Sequence, residues 1–509
     1  MIAAISLVWS GLALRSVERL PLGRWHQWDQ SDMHIYLEQG RRLAGGDWLA
    51  RAPYYPYHLW MSAAPPQRWA AWYGHGVFYQ APLYSYFMAG FLKAGIEPAH
   101  AARVAHALAL AAICILTYLF TRRAFGWRAG LAAGVMGALY GPLLVIASQP
   151  LKETLALALT MWILVGLGRW TMRPQYKTIF CAGLGVGVLA LMHEGTPAIA
   201  LAILLSIALR ARGGIRPIRP MVSVCIFVLG ALVGFSPLLA RNLAVGAPAL
   251  AVSTRSPITW ALANEASALN GGVTWSPPGE GFVRMMDGAA GRPFGIVSGV
   301  IGSYGGRAWA FFGHWAMRAL ALLSGGEAAD NTCYAYFRLY VPTLALSLDF
   351  RWLLPLAAAG LVSVRARRWA AVLRRGSAAA IVPVFLVIMI VAISAVFPLG
   401  RLRLFLLPAL IPLAGRGVVA LWMAIRARLP RAAAALVAAI IFTAMVQLAL
   451  DRTWKLGGLR PADFGVAAQI ELRGGRPDLA IAELERGAEL TGDGGLAKQA
   501  AAIRGMKTW

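Results

Sequence analysis

The chain has 509 residues, with 48 Lys+Arg against 22 Asp+Glu and a formal net charge of +26. Yet 59% of its residues are hydrophobic and only 14% are charged, where a soluble globular chain has roughly a quarter of its residues charged. This balance excludes disorder, a collagen, a small disulfide scaffold and an ordinary nucleic-acid binder, and it specifies an all-α polytopic membrane protein.

Apolar stretches fall near 1–17, 99–120, 129–148, 153–169, 178–192, 196–209, 221–240, 336–360, 380–398, 402–424 and 432–450. They predict about eleven spans. The first lacks a basic leading segment and a clear cleavage site, so it reads as a transmembrane helix rather than a cleaved signal peptide. A further stretch, 304–323, carries Arg307, His314 and Arg318 and reads as an interfacial helix. Basic residues gather in five short loops: Arg122, Arg123 and Arg128; Arg169, Arg173 and Lys177; Arg210, Arg212, Arg216 and Arg219; Arg365, Arg367, Arg368, Arg374 and Arg375; and Arg426, Arg428 and Arg431. The positive-inside rule puts these loops and the N-terminus in the cytoplasm. The other side then holds 18–98, 241–335 and a tail from 451 to 509. The four Cys, at 114, 181, 225 and 333, lack metal-ligand spacing and read as small hydrophobes.

The first outer loop, 18–98, holds six of the nineteen Trp, four of the eight His and eight of the fifteen Tyr. A structureless loop of this length is improbable, so short amphipathic helices on the outer face are expected. The aromatics suit interfacial anchoring; the alternative is a groove for a sugar or lipid chain. Asp29 and Asp32 follow the first span three residues apart. A helix here places Asp32, Tyr36 and Gln39 on one face. Either carboxylate can serve as a base or a metal ligand, and Asp29 serves equally well as a helix N-cap. In YGHGVFYQAPLYSYFMAG, Tyr79 and Gln80 sit at a turn before Pro82, and His75 lies between two glycines.

At these residues the chain resembles membrane glycosyltransferases of the GT-C class, in particular the bacterial protein mannosyltransferase and lipid A aminoarabinose transferase (family 39-like) group. Asp32 matches the family's acidic residue and Tyr36 the Tyr four positions on, while Met33 replaces the usual Glu. Pro82, Leu83 and Tyr84 match the aromatic–proline–Leu–Tyr signal, with Ala81 in place of the first proline and Tyr79–Gln80 where one branch has Glu-Lys. PLLARNLAVG, with Arg241 and Asn242, and FPLGRLRLFLLPALIPLAG, with Arg401 and Arg403, match two later motifs. The resemblance covers about 1–450. It implies a GT-C-like transmembrane domain that moves a sugar from a polyprenyl-phosphate donor to a lipid, glycan or protein acceptor at the outer face of a bacterial inner membrane. A divalent cation held by Asp29, Asp32 and a His is left open by the missing Glu, and no other cofactor is implied.

Such a site needs cations for the phosphate and a carboxylate for the acceptor hydroxyl. Asp32 is the expected base, with Asp29 as alternative or partner. Arg401 and Arg403 are the expected phosphate ligands, against plain helix-end snorkelling. Arg241 has the same two readings, and Asn242 can cap or hold a sugar hydroxyl. Tyr36, Tyr79, Gln80 and Tyr84 are further substrate-binding candidates. Lys152 and Glu153 open one span, and His193 and Glu194 lie between two others; Glu153 and Glu194 are the only acids between 99 and 260. Rarity of charge beside a membrane marks all four as candidates. Within 241–335, WSPPGEG alone suggests a turn that shapes the acceptor side.

The tail carries eight of the 22 acids and nine basic residues. Its apolar spacing, broken at Gly474–Gly475, predicts a helical hairpin like one tetratricopeptide unit, placed outside the membrane. Two other functions fit the same architecture: a flippase or transporter for lipid-linked sugars, and an oligosaccharide polymerase or ligase. Ionisable groups at outer helix ends rather than mid-span favour the enzyme.

Overall fold

A computed structural model describes residues 1–213, 219–266, 277–289 and 292–507. Arg216 and the first two residues of WSPPGEG lie outside these. Among the described residues the chain is helical, and its one β-bridge joins Tyr140 to Leu348.

Each of the eleven apolar stretches contains helix, but they are not eleven equal rods. Five helices are long and apolar enough to cross a membrane: Pro98–Phe125, Glu153–Met172, Pro220–Val245, Gly400–Arg426 and Pro430–Trp454. Stretch 129–148 is two helices, Trp127–Ala138 and Gly141–Ala147. The break sits where Leu348 N–H donates to Leu139 O (2.8 Å) and Gly141 N–H donates to Leu348 O (2.7 Å). Pro142 lacks an N–H and so suits the start of the second piece, all seven residues of which are buried. Stretch 336–360 likewise divides into Tyr334–Tyr340, Pro342–Ala345 and Phe350–Val362. Asp349 starts the last piece by accepting the Arg351 N–H at 3.1 Å. The basic loop near 370 contains a helix, Ala366–Arg375, bent by 100° from Ala378–Ser394. With Trp369 between arginines and no residue buried, its composition is that of a surface helix.

Helix packing in lipid depends on close approach of small residues. Helices Tyr176–Ala190 and Pro220–Val245 meet through four of them. A β-carbon at Gly183 or Gly187 would sit on the carbonyl of Phe227 or Ala231, and one at Gly230 or Gly234 on that of Phe180 or Leu184. Gly360 and Gly417 do the same for Phe350–Val362 against Leu407–Arg426.

Segment 18–98 contains a 3₁₀ turn Pro21–Gln27 and helices Asp32–Ala44, Pro66–Tyr73 and Leu83–Lys93. Its Trp and Tyr are mostly stacked on one another rather than spread over the surface. Trp69 packs on Trp72 (4.8 Å between centroids) and Tyr55 stacks on Tyr73 (5.0 Å). In the 304–323 region the helix is Ala308–Ala321. Trp309 and Phe312 face outward, but Arg318 is fully buried and donates to Val396 O (3.0 Å) and Asn264 Oδ1 (2.7 Å). The tail has three helices rather than two, Pro461–Arg473, Pro477–Thr491 and Gly494–Lys507. It docks through Glu471, which accepts from Arg24 (2.5 Å), and through Phe464 against Tyr336 (5.4 Å between centroids).

Overpacking a filled core costs about 1–3 kcal/mol. Gly187→Val places its branches against the Ala231 carbonyl, so a loss of that order is expected. Thermal unfolding in detergent checks it, with Gly90→Ala, where a β-carbon meets nothing within 4 Å, as the control.

Candidate functional site

Asp32 opens the helix Asp32–Ala44, and the N-cap is Ser31, whose side chain accepts the His34 N–H at 3.1 Å. The cap role open to Asp29 is therefore filled by Ser31. Asp29 lies half-exposed at the surface, 3.3 Å from Arg473, apart from Asp32. Capping by Ser31 leaves the Asp32 carboxylate free to turn inward, where it is 3% exposed.

Four side chains donate to that carboxylate. Gln80 Nε2 (3.0 Å) and Arg255 Nη1 reach Oδ1. Asn331 Nδ2 (2.9 Å) and Arg401 Nη1 (2.7 Å) reach Oδ2. Asn331 also accepts the Asp32 N–H at 3.0 Å. The donors come from three parts of the chain: residue 80 from 18–98, residues 255 and 331 from 241–335, and residue 401 from the late helix. Arg255 is placed by backbone pairing, with Thr254 N–H to Phe78 O (2.9 Å) and Arg255 N–H to Tyr79 O (3.0 Å). Arg401 opens the helix that leads into the late apolar run. It also pairs with Asp330 (2.6 Å) and approaches Glu153 (3.6 Å). Burial opposes ionisation of Asp32, but the charges and hydrogen bonds of Arg255 and Arg401 overcome it and hold the carboxyl well below its usual range.

A third cation, Lys152, adjoins this group. Lys152 Nζ pairs with Glu194 and lies 5.7 Å from the centre of the Tyr36 ring. Glu194 also accepts the Ala81 N–H at 3.0 Å, which ties the Pro82–Leu83–Tyr84 segment to the site. The Tyr36 and Tyr84 rings meet edge to face (5.0 Å), and Tyr84 Oη lies 3.2 Å from His106 Nε2. His193 packs over Phe405 (4.2 Å between centroids). Burial and the Lys152 charge push it down to about 3, so it is neutral. Tyr79 is buried, with its ring 5.4 Å from that of Tyr73. Glu153 Oε2, Gln80 Oε1 and Arg401 Nε are buried and make no hydrogen bond within the protein.

Three sequence candidates are occupied elsewhere. Arg403 donates to Gly326 O and Ser324 O, both at 2.5 Å, and covers the Phe350 ring. Arg241 donates to the carbonyls of Leu49 (2.7 Å), Gly76 (2.5 Å) and Ala50. Asn242 donates to Ala251 O at 2.8 Å. Each is committed to holding backbone, which suits a planar multidonor group. His75 is exposed, on the turn whose next carbonyl, Gly76 O, Arg241 holds. Conversely, the sequence reading missed Arg255, Asp330 and Asn331. Only tertiary pairing brings them to Asp32, so no local pattern marks them.

The residues do not fit a bound divalent ion. Both Asp32 oxygens are met by guanidinium groups, and the carboxylates around Arg401 converge on a cation the chain already supplies. Among the described residues no group of three His, Cys, Asp or Glu is arranged to hold a metal.

No protein-family model and no curated protein matches the chain. Solved structures do. The archaeal oligosaccharyltransferase AglB from Archaeoglobus fulgidus, in complex with an inhibitory peptide and a dolichol-phosphate, aligns at TM-score 0.46 and 14% identity over 96% of this chain and 59% of that one. The same organism's enzyme in apo form gives 0.46 and 13%, over 88% and 56%. ArnT from Cupriavidus metallidurans, bound to undecaprenyl phosphate, gives 0.33 and 16%, over 82% and 77%. The chain thus spans under three-fifths of the length of the first two. All three are GT-C fold glycosyltransferases.

Glu194 provides a pH test. Its carboxyl is lowered from 4.5 to about 2; burial raises it, and the Lys152 charge outweighs that. A depressed carboxyl contributes stability above its unfolded value and loses it as pH falls through the folded one. Unfolding midpoints should therefore fall between about pH 4.5 and 2, and Glu194→Gln should flatten that part of the profile.

Proposed function

We propose that the protein transfers a sugar from a polyprenyl-phosphate donor to an acceptor hydroxyl at the outer face of the membrane, with Asp32 as base and Arg255 and Arg401 as phosphate ligands. The observation that carries this is the bracketing of one buried carboxylate by two guanidinium groups from distant segments.

The bracketing creates an exchange. A phosphodiester offers oxygens that suit the same guanidinium N–H groups. When the donor phosphate takes them, Asp32 loses the charges that hold its pKa down and becomes a better proton acceptor. Basicity then rises only when the donor is in place, which limits idle proton uptake. Lys152, beside Tyr36, adds positive charge on the same side.

The reaction is a displacement at the anomeric carbon. The acceptor oxygen forms the new glycosidic bond and its proton passes to Asp32. The anomeric carbon–oxygen bond to phosphate breaks, and polyprenyl phosphate leaves with the electron pair. A phosphate leaving group needs no separate acid, so one base suffices for a single step. Glu153, Gln80, Tyr79 and Tyr84 belong to the same buried cluster, and the unpaired acceptors of Glu153 and Gln80 become available to substrate hydroxyls once the donor phosphate draws the guanidinium groups away.

Removing a general base costs about 10²–10⁴-fold. Asp32→Asn is therefore expected to abolish label transfer from a radiolabelled polyprenyl-phosphate sugar to a membrane acceptor extract; the protein stays folded at assay temperature, with its unfolding midpoint lowered because Arg255 and Arg401 lose a counter-charge. Arg255→Gln should weaken donor binding instead, raising the half-saturating donor concentration. Transfer unchanged in Asp32→Asn overturns the choice of base. Donor movement across vesicles without transfer replaces the enzyme with a transporter.

A further inference from the structure

The five basic loops of the sequence converge on one end of the bundle. Trp369, in the helix Ala366–Arg375, packs on Phe125 of the first loop (6.4 Å between centroids). A β-carbon on Gly376, just past that helix, would strike the backbone of Arg210 in the third loop. Arg210 Nε in turn donates to Thr171 O of the second loop at 2.8 Å. Trp422 stands one helical turn before Arg426 in the fifth loop. The guanidinium of Arg128, from the first loop, lies 5.5 Å from its ring centre and that of Arg426 lies 5.3 Å away.

Together these loops hold eighteen Lys and Arg, and all 22 acids lie elsewhere in the chain. The site around Asp32 is the opposite case, where arginines meet the protein's own carboxylates. A surface of one sign repels itself and concentrates counter-charge from outside. At Trp422 this is sharpest. Arg128, Trp422 and Arg426 are all exposed. The ring attracts both cations through its quadrupole and leaves their N–H groups free for an anion.

Position selects the anion. Two helices long and apolar enough to cross a membrane, Pro98–Phe125 and Gly400–Arg426, end in this surface. Ile425 and Leu429, on either side of Arg426, are exposed, and so is Trp127. Indole rings settle at headgroup level. The helix Ala366–Arg375, bent by 100° from the apolar helix Ala378–Ser394, is oriented to lie along an interface rather than through it. A soluble polyanion would meet the charge but leave this apolar flank in water. An anionic phospholipid offers phosphate to the guanidinium groups and acyl chain to the flank. We infer that this end of the bundle is a docking surface for anionic phospholipid, centred on Trp422, with Arg128 and Arg426 holding the headgroup phosphate.

Native mass spectrometry of the full-length, delipidated protein in a neutral detergent tests this with two lipids. Dioleoyl phosphatidylglycerol should form adducts at a concentration at least about fivefold below that needed for dioleoyl phosphatidylcholine. Arg128→Gln combined with Arg426→Gln should raise the half-saturating phosphatidylglycerol concentration at least about fivefold. The unfolding midpoint without lipid should be retained, because both side chains are exposed and of like charge. Arg173→Gln combined with Arg219→Gln removes the same charge from the second and third loops and should change that concentration less than about twofold. Equal binding of the two lipids, equal losses in the two double variants, or displacement of phosphatidylglycerol by inorganic phosphate or by a short RNA each overturns the inference.

Discussion

A carboxylate buried at the end of a helical membrane bundle must be compensated, and at Asp32 that requirement ties together the segments around it. Its four side-chain donors come from residues 80, 255, 331 and 401. Residue 80 lies in segment 18–98, residues 255 and 331 lie near opposite ends of 241–335, and residue 401 opens the late helix, so ionised Asp32 joins these three parts of the chain at one point. Such a junction is costly to break, because losing one partner strands a buried charge.

The remaining buried arginines have a different task. Arg103 donates to Ser148 O and Gly23 O, Arg241 to three carbonyls, Arg318 to Val396 O, and Arg403 to Gly326 O and Ser324 O. Backbone carbonyls left without water need donors, and a guanidinium can serve several at once. Among the 48 basic residues, three groups thus stand out. Eighteen sit in the five basic loops, a few arginines hold irregular backbone in place, and Arg255 and Arg401 face a carboxylate.

That division explains what was legible in the sequence. Apolar runs and basic loops are local patterns, so the helical membrane architecture could be read directly. The scarcity of acid pointed to Asp32, and helical periodicity put Tyr36 beside it. Arg401 and Arg403 are two residues apart and look alike in sequence, but only Arg401 meets Asp32, because one helical step at that point turns Arg403 toward the 324–326 carbonyls. The breaks at Tyr140 and before Phe350 depend on a pairing between residues some two hundred positions apart, which no window of sequence contains. The same holds for Arg255 and Asn331.

Segment 324–332 is where these strands of the structure meet. Gly326 is packed against Leu456 and Gly457 so closely that a β-carbon there would strike the Leu456 carbonyl. The Gly326 carbonyl is held by Arg403, its N–H by Asp451 (3.0 Å), and the Asp330 carbonyl by Arg460 (3.0 Å). The tail therefore fixes the height of the very segment that presents Asp330 to Arg401 and Asn331 to Asp32. A shift of the tail cannot leave the carboxylate's donors in register, since both ends of the segment are tied to it. The C-terminal helices thus reach Asp32 through this segment without touching it, by holding Asp330 and Asn331 where Arg401 and Asp32 meet them.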